Sequence, residues 1–233
     1  MKKLITLIFG ITFLFSCSDD SSSSSNTPIA LATVPLAKAE FDASNFGIYK
    51  GVIIGSSGVI TINIKNDGNL TATIVIDGVS STYNSVGEVA LNQPITNLRF
   101  TSGANTFDID VSANGNDISV VSSNIIGHLD ATFNVVKEYS TDLVKCYQGT
   151  YTGASDNGVF NIITLDQDLY GLSQSNTFPD SETLFLNGGF IENTISGTFT
   201  GGTFVGTTSG NNISGTWQNT SQETGTWTGQ RTL

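Results

Sequence analysis

Apolar residues recur at every second place through Gly58–Ile64 and again through Val159–Leu165, the period of a strand with one buried face. Short apolar runs at Ile74-Val75-Ile76 and Phe185-Leu186 add further buried segments. Turn signals separate these stretches at roughly 8–12-residue spacing. They are Asn66-Asp67-Gly68-Asn69, Asp77-Gly78, Asn114-Gly115-Asn116, Asn187-Gly188-Gly189, Gly201-Gly202 and Gly210-Asn211-Asn212. Asp-Gly and Asn-Gly pairs suit the positive-φ positions of tight hairpins. No long stretch carries helical period with caps at both ends. The pattern predicts an all-β protein of short antiparallel strands in a meander, closing as a barrel or folding as a sandwich.

The folded region repeats itself. Gly47-Ile48-Tyr49-Lys50-Gly51 recurs as Gly149-Thr150-Tyr151-Thr152-Gly153, and Gly58-Val59-Ile60-Thr61-Ile62 as Gly158-Val159-Phe160-Asn161-Ile162. Gly115-Asn116-Asp117-Ile118-Ser119 recurs as Gly210-Asn211-Asn212-Ile213-Ser214. Ala131-Thr132-Phe133 with Lys137 matches Gly225-Thr226-Trp227 with Arg231. Four collinear matches indicate a duplication. They predict two tandem homologous antiparallel units of about eight strands each, 45–137 and 147–233, joined by a linker 138–146. The two units make separate small barrels or sandwiches, or two halves of one sheet. A membrane-spanning barrel is disfavoured because the strands are short for that task.

Before the repeats the pattern changes. Lys2-Lys3 opens the chain, an apolar run follows from Leu4 to Phe15, and then come Ser16-Cys17, Asp19-Asp20 and the serines Ser21 to Ser25. A run this short falls below the ~20 residues of a spanning helix. Leu14-Phe15-Ser16-Cys17 resembles the export signal of a bacterial lipoprotein, with the bulky Phe15 as its one departure. That resemblance implies a signal peptide 1–16, lipidation of Cys17, and a membrane partner reached through that lipid. Ser18 in place of Asp after the cysteine implies the outer membrane, and Ser18-Asp19-Asp20 resembles a signal for its outer face. Residues 17–44 read as a Ser-rich flexible tether, since five serines bury nothing and neither Pro28 nor Pro35 favours a helix.

Charge narrows the partners. The formal charge is −11, and loss of Lys2 and Lys3 with the signal makes the mature chain more negative still. Such a chain is repelled by phosphate backbones, so nucleic acid is excluded as a partner. Cys17 is assigned to lipid, leaving Cys146 with no internal disulfide partner and the expected role of a half-buried structural cysteine.

No catalytic constellation emerges. His128 is the single histidine, expected at a turn or strand edge, and no Gly-x-Ser-x-Gly elbow occurs. Gly55-Ser56-Ser57-Gly58 lacks the Lys of a phosphate loop and reads as a hairpin turn. Asp108/Asp110 and Asp166/Asp168 have a spacing that suits Ca²⁺ or a carboxylate pair. The first pair reads better as the wet face of a strand and the second as a solvated hairpin. No metal, cofactor or catalytic residue is therefore assigned.

Aromatic residues are the remaining clue. Tyr49 and Tyr151 match in the repeat, as do Phe133 and Trp227, whereas Trp217 and Tyr147 have no aromatic counterpart. Aromatics conserved between two copies suit a core, and exposed ones stack on sugar rings. Gly215-Thr216-Trp217 and Gly225-Thr226-Trp227 resemble a motif of lipocalin-like and avidin-like barrels, which favours a barrel over a sandwich. The ligand-binding candidates are Trp217, Trp227, Tyr151 and Tyr49. The expectation is a lipid-anchored, outer-membrane and surface-facing protein with a non-enzymatic binding or structural role. It would present a β surface or barrel mouth to a glycan, protein or small ligand. The alternative is a glycan-active hydrolase with a dispersed carboxylate site.

Overall fold

The computed structural model describes residues 31–178 and 182–233, so the expected signal segment 1–16, Cys17 and Ser18–Ser25 lie outside the described residues. The first unit runs β1 (Gly47–Ile54), β2 (Gly58–Ile64), β3 (Leu70–Ile76), β4 (Val79–Asn84), β5 (Ile95–Ser102), β6 (Asn105–Val111), β7 (Ile118–Asn124) and β8 (Thr132–Glu138). The second runs β9 (Lys145–Gly153), β10 (Asn157–Leu165), β11 (Asp168–Ser175), β12 (Leu184–Ile191), β13 (Thr194–Phe199), β14 (Gly202–Ser209), β15 (Asn212–Asn219) and β16 (Thr224–Arg231). A 3₁₀ turn, Ala39–Phe41, precedes them. The protein is all-β, with two eight-stranded up-and-down units as the repeat predicts.

Both units have the same strand order, and each first strand pairs with its second and its last. The second unit closes completely, β16 pairing with β9. In the first, β7 and β8 lie side by side without a ladder, and β4 meets β5 at one pair only, Asn84↔Thr101. The hairpins carry the predicted turn residues: Asp77 and Gly78 both have positive φ, as do Gly55 and Gly210. One turn signal is overruled. Asn187-Gly188-Gly189 lies inside β12, because Gly188 faces the barrel interior opposite Gly197 and Leu169.

Register also corrects the alignment of the copies. Tyr49 pairs with Ile62 and Lys137, while Tyr147 pairs with Ile162 and Arg231. The structural counterpart of Tyr49 is therefore Tyr147, and Tyr151 stands where the first unit has Ile53, between Gly158 and Trp227. Phe133 and Trp227 remain equivalent, each opposite that position. The local Gly-x-Tyr-x-Gly similarity is out of phase by four residues. A four-residue shift, being even, keeps every side chain on the same face, so the strand pattern alone cannot detect it.

The two interiors differ. The first is filled by aliphatic and aromatic side chains, among them Tyr49, Ile53, Ile60, Ile62, Tyr83, Phe100, Phe107 and Ile109, each 2% exposed or less. The second is lined mainly by aromatics and glycines. Its outward positions carry Thr194, Thr198, Thr203, Thr207, Thr216, Thr226 and Thr228, all exposed. A polar outside and an apolar inside invert the pattern of a membrane-spanning barrel.

A third apolar cluster joins the units. Val52 and Val59 on the outside of the first barrel meet Val144, Cys146 and Ile163 of the second. This explains why β1 is buried at every residue: one face fills its barrel and the other fills the seam. Each valine removed from water contributes about 1.5–3 kcal/mol. Within the seam Lys50 Nζ lies 2.5 Å from Glu138 Oε2, both side chains essentially unexposed. Glu138 also accepts from Val144 N and Leu36 N. Asn161 donates to Ile53 O across the seam. Cys146 is fully rather than half buried, and burial pushes its thiol up to about 12.

Residues 31–44, expected to be free tether, are docked against both units. Ala32 O accepts from Arg231, Leu36 is held by Glu138 and Asn66, and Lys137 donates to Phe41 O and Ser44 O. Backbone carbonyls satisfied by buried or half-buried side chains outweigh the loss of chain entropy that composition alone would protect.

Two outcomes are expected. Lys50→Ala leaves Glu138 buried without its cation and should destabilise by about 3–5 kcal/mol in urea unfolding, whereas Lys50→Met with Glu138→Leu should cost much less. Cys146 should react with a thiol reagent only at the rate of unfolding, read by native-state labelling against denaturant.

Candidate binding cavity

The second barrel is built on one recurring tripeptide. Gly149-Thr150-Tyr151, Gly158-Val159-Phe160, Gly197-Thr198-Phe199, Gly202-Thr203-Phe204, Gly215-Thr216-Trp217 and Gly225-Thr226-Trp227 all read glycine, outward residue, aromatic. In an antiparallel hairpin this pattern puts the glycine of one strand opposite the ring of the next. The register does so reciprocally: Gly149↔Phe160 with Tyr151↔Gly158, Gly197↔Phe204 with Phe199↔Gly202, and Gly215↔Trp227 with Trp217↔Gly225. Each ring lies over its glycine. A Cβ added at Gly197 would sit 2.3 Å from Phe204 Cζ, and one at Gly225 2.4 Å from Trp217 Nε1. Alanine at either position collides with the ring and with the neighbouring strand.

The rings form two edge-to-face groups. Trp217 stands between Tyr151 at 6.2 Å and Phe199 at 6.4 Å, and Trp227 between Phe160 at 5.7 Å and Phe204 at 6.3 Å. Each indole N–H donates to a backbone carbonyl, Trp227 to Thr216 on the neighbouring β15 and Trp217 across β16 to Thr152 on β9. Rings flattened against the wall leave the axis open, and a cavity of about 150 Å³ remains. Tyr151, Phe160, Phe199, Phe204, Trp217 and Trp227 line it together with Ile162, Leu184 and Leu186. Tyr147, Leu169, Ile195 and Ile213 fill the barrel beyond them and close its other end.

The mouth is polar and acidic. Asp156 lies in the β9–β10 connection and Glu223 in the β15–β16 connection, with Ser173 and Asn219 nearby in the lining. Asp156 accepts from the Tyr151 hydroxyl at 3.0 Å and from Ser175 at 2.6 Å. Glu223 accepts from the Ser155 hydroxyl and backbone N–H and from Asn219, tying the two connections together. These hydrogen bonds hold the Glu223 carboxyl below its ordinary range, with the Ser155 hydroxyl contributing most. Burial, and then the hydrogen bond to Asp156, push the Tyr151 phenol up, so it stays protonated and donates. A proton donor for glycoside cleavage needs its carboxyl raised, and Glu223 moves the opposite way.

Three of the four candidate residues, Tyr151, Trp217 and Trp227, thus come together around one cavity. Tyr49 does not. It is buried in the filled first unit, its hydroxyl donating to Asn45 O at 2.8 Å. Asp156 and Glu223 carry no motif and were legible only as polar residues in turns. The recurrence of glycine-x-aromatic was the signal that could have found Phe160, Phe199 and Phe204.

The other sequence candidates are structural. Asp108 forms a two-pronged ion pair with Arg99, both contacts at 2.8 Å, and accepts from Ser122. Asp110 accepts from Asn97 N. Asp166 is in the β10–β11 turn, and Asp168 accepts from Tyr170. His128 sits in the β7–β8 connection, its Nδ1 2.7 Å from Ser56 Oγ. No protein-family model matches the chain, and no curated protein sequence matches it. The second unit is a closed eight-stranded up-and-down barrel, an architecture compatible with lipocalin-like barrels.

Gly225→Ala is expected to lose about 1–3 kcal/mol and to shift tryptophan emission to the red as Trp217 is displaced. Outward Thr203→Ser should change stability by less than about 0.5 kcal/mol. The Arg99 hydrogen bonds hold the Asp108 carboxyl down to about 2. A depressed folded pKa gives stability that is complete above the unfolded value of ~3.9 and is lost as pH falls through it towards the folded value. Acid unfolding of Asp108→Asn, compared with the parent between about pH 5 and 2, should lack that component.

Proposed function

We propose that this chain is a lipid-anchored cell-envelope protein of the outer membrane whose second barrel binds a small ligand without transforming it. The first unit supplies a rigid, filled base. The observation that carries the reading is the cavity of the second barrel: six aromatic rings around an open axis, with polar groups gathered at one rim. Ligand sites are concave, largely apolar and oriented by a few polar atoms. At about 150 Å³ the cavity suits one ring-sized group, matching the size of an engineered cavity that takes benzene. The anchor is argued from Leu14–Cys17. The position of Ala32 also fits it, since Arg231 holds this residue at the closed end and leaves the mouth on the far side of the fold.

Both tryptophans of the chain line the cavity, so intrinsic fluorescence reports on this site alone. Titration with ring-sized alcohols, amines and monosaccharides is expected to give a saturable change for at least one class. The change should vanish in Ser173→Phe, which fills the lumen. A folded protein with no saturable response to any class would refute the binding reading and leave an architectural role. Release of reducing sugar from an oligosaccharide panel would instead establish the hydrolase. Labelling of growing cells with an alkyne fatty acid should mark the parent and not Cys17→Ser.

A further inference from the structure

We propose that the cavity of the second barrel selects a small organic cation, an amine whose ring-sized apolar body enters among the aromatic rings while its ammonium stays at the rim beside Asp156 and Glu223. This rests on the reading of the cavity as a ligand site and adds the chemical class of the ligand. Among the described residues the lining contains two carboxylates and no Lys, Arg or His. Among the described residues the salt bridges are Lys38–Glu40, Lys50–Glu138 and Arg99–Asp108, so neither rim carboxylate has a protein cation beside it.

The rim carboxylates retain capacity to accept. A carboxylate offers about four acceptor positions. Asp156 uses two of them, for Tyr151 and Ser175, and Glu223 uses three, for Ser155 twice and Asn219. Every donor among these is neutral, so the hydrogen bonds fix the orientation of the carboxylates without cancelling their charge.

The walls favour the same ligand. Ring faces attract a cation held within about 6 Å, indole most strongly, and Tyr151 and Trp217 are lining residues from strands that flank the rim. An anionic ligand of the same shape would meet two like charges at the rim. A neutral sugar would find hydrogen-bonding groups only at the mouth, with apolar surface around the rest of its ring. The negative charge of the whole chain adds long-range attraction for cations.

The test uses three probes that share one body: 2-phenylethylamine, 2-phenylethanol and phenylacetate. Each is titrated into the folded protein by calorimetry and tryptophan fluorescence at low salt and at about 0.5 M salt. The amine should bind about tenfold more tightly than the alcohol, and phenylacetate more weakly than either. The amine's advantage should shrink at high salt. Asp156→Asn and Glu223→Gln should each lower amine affinity towards that of the alcohol and leave the alcohol unchanged. If a variant fails to fold, the ranking of the three probes on the parent protein decides. Equal binding of amine and alcohol, or a preference for phenylacetate, overturns cation selection while the cavity remains a ligand site. Absence of binding by every probe to a folded protein overturns both.

Discussion

The second barrel depends on rings lying over glycines. An eight-stranded barrel has an interior just wide enough for side chains to fill, so six aromatic residues pointing along radii would crowd its axis. Opposite each ring the neighbouring strand supplies a glycine, and the ring lies down on the backbone there. The wall becomes thick, aromatic and stiff, and the axis stays open. The cavity, the indole hydrogen bonds to backbone carbonyls and the edge-to-face contacts all follow from that seating. The middle residue of each tripeptide points outward, five times as threonine, so one short motif sets both surfaces.

The duplicated partner shows what happens without it. In the first unit the inward positions that follow Gly58 are Ile60, Ile62 and Ile64, and the interior is completed by Tyr49, Phe100 and Phe107. Branched aliphatic side chains stand inward and meet at the axis, leaving a filled core. The two units therefore share a topology and differ in interior volume, a division between a structural and a hollow copy. They are held together by the outer faces of β1 and β10, with the Lys50–Glu138 pair enclosed in an apolar seam. An enclosed ion pair is a weak source of stability and a strong penalty for misalignment. Its position between the units suits it to fixing how they dock.

Much of the fold was legible from local rules. Period-2 alternation located strands such as Gly58–Ile64, and Asp77-Gly78 or Gly210-Asn211 located hairpins, because these signals depend only on which face a residue points to and on backbone φ. Local rules failed where long-range pairing intervened. Gly188-Gly189 has the composition of a turn but sits in a strand, since a ring-lined wall needs inward glycines as much as a hairpin needs flexible ones. Tyr49 and Tyr151 share a local motif and occupy different register positions, since a four-residue slip leaves the pattern of faces unchanged. Residues 31–44 read as free chain because their partners, Arg231, Glu138 and Lys137, are distant in sequence.

The sequence by itself determined the strand class, the duplication, most of the turns and the acidic charge, and it named Tyr151, Trp217 and Trp227 as candidates. Those properties are carried by residues within one strand or one hairpin. Only the tertiary structure decided that these three rings surround one cavity while Tyr49 is enclosed in the filled unit. It also decided that Asp156 and Glu223, 67 positions apart, face the same mouth. Closure of β16 onto β9 brings the first and last strands of the unit together, and such a contact leaves no trace in local composition.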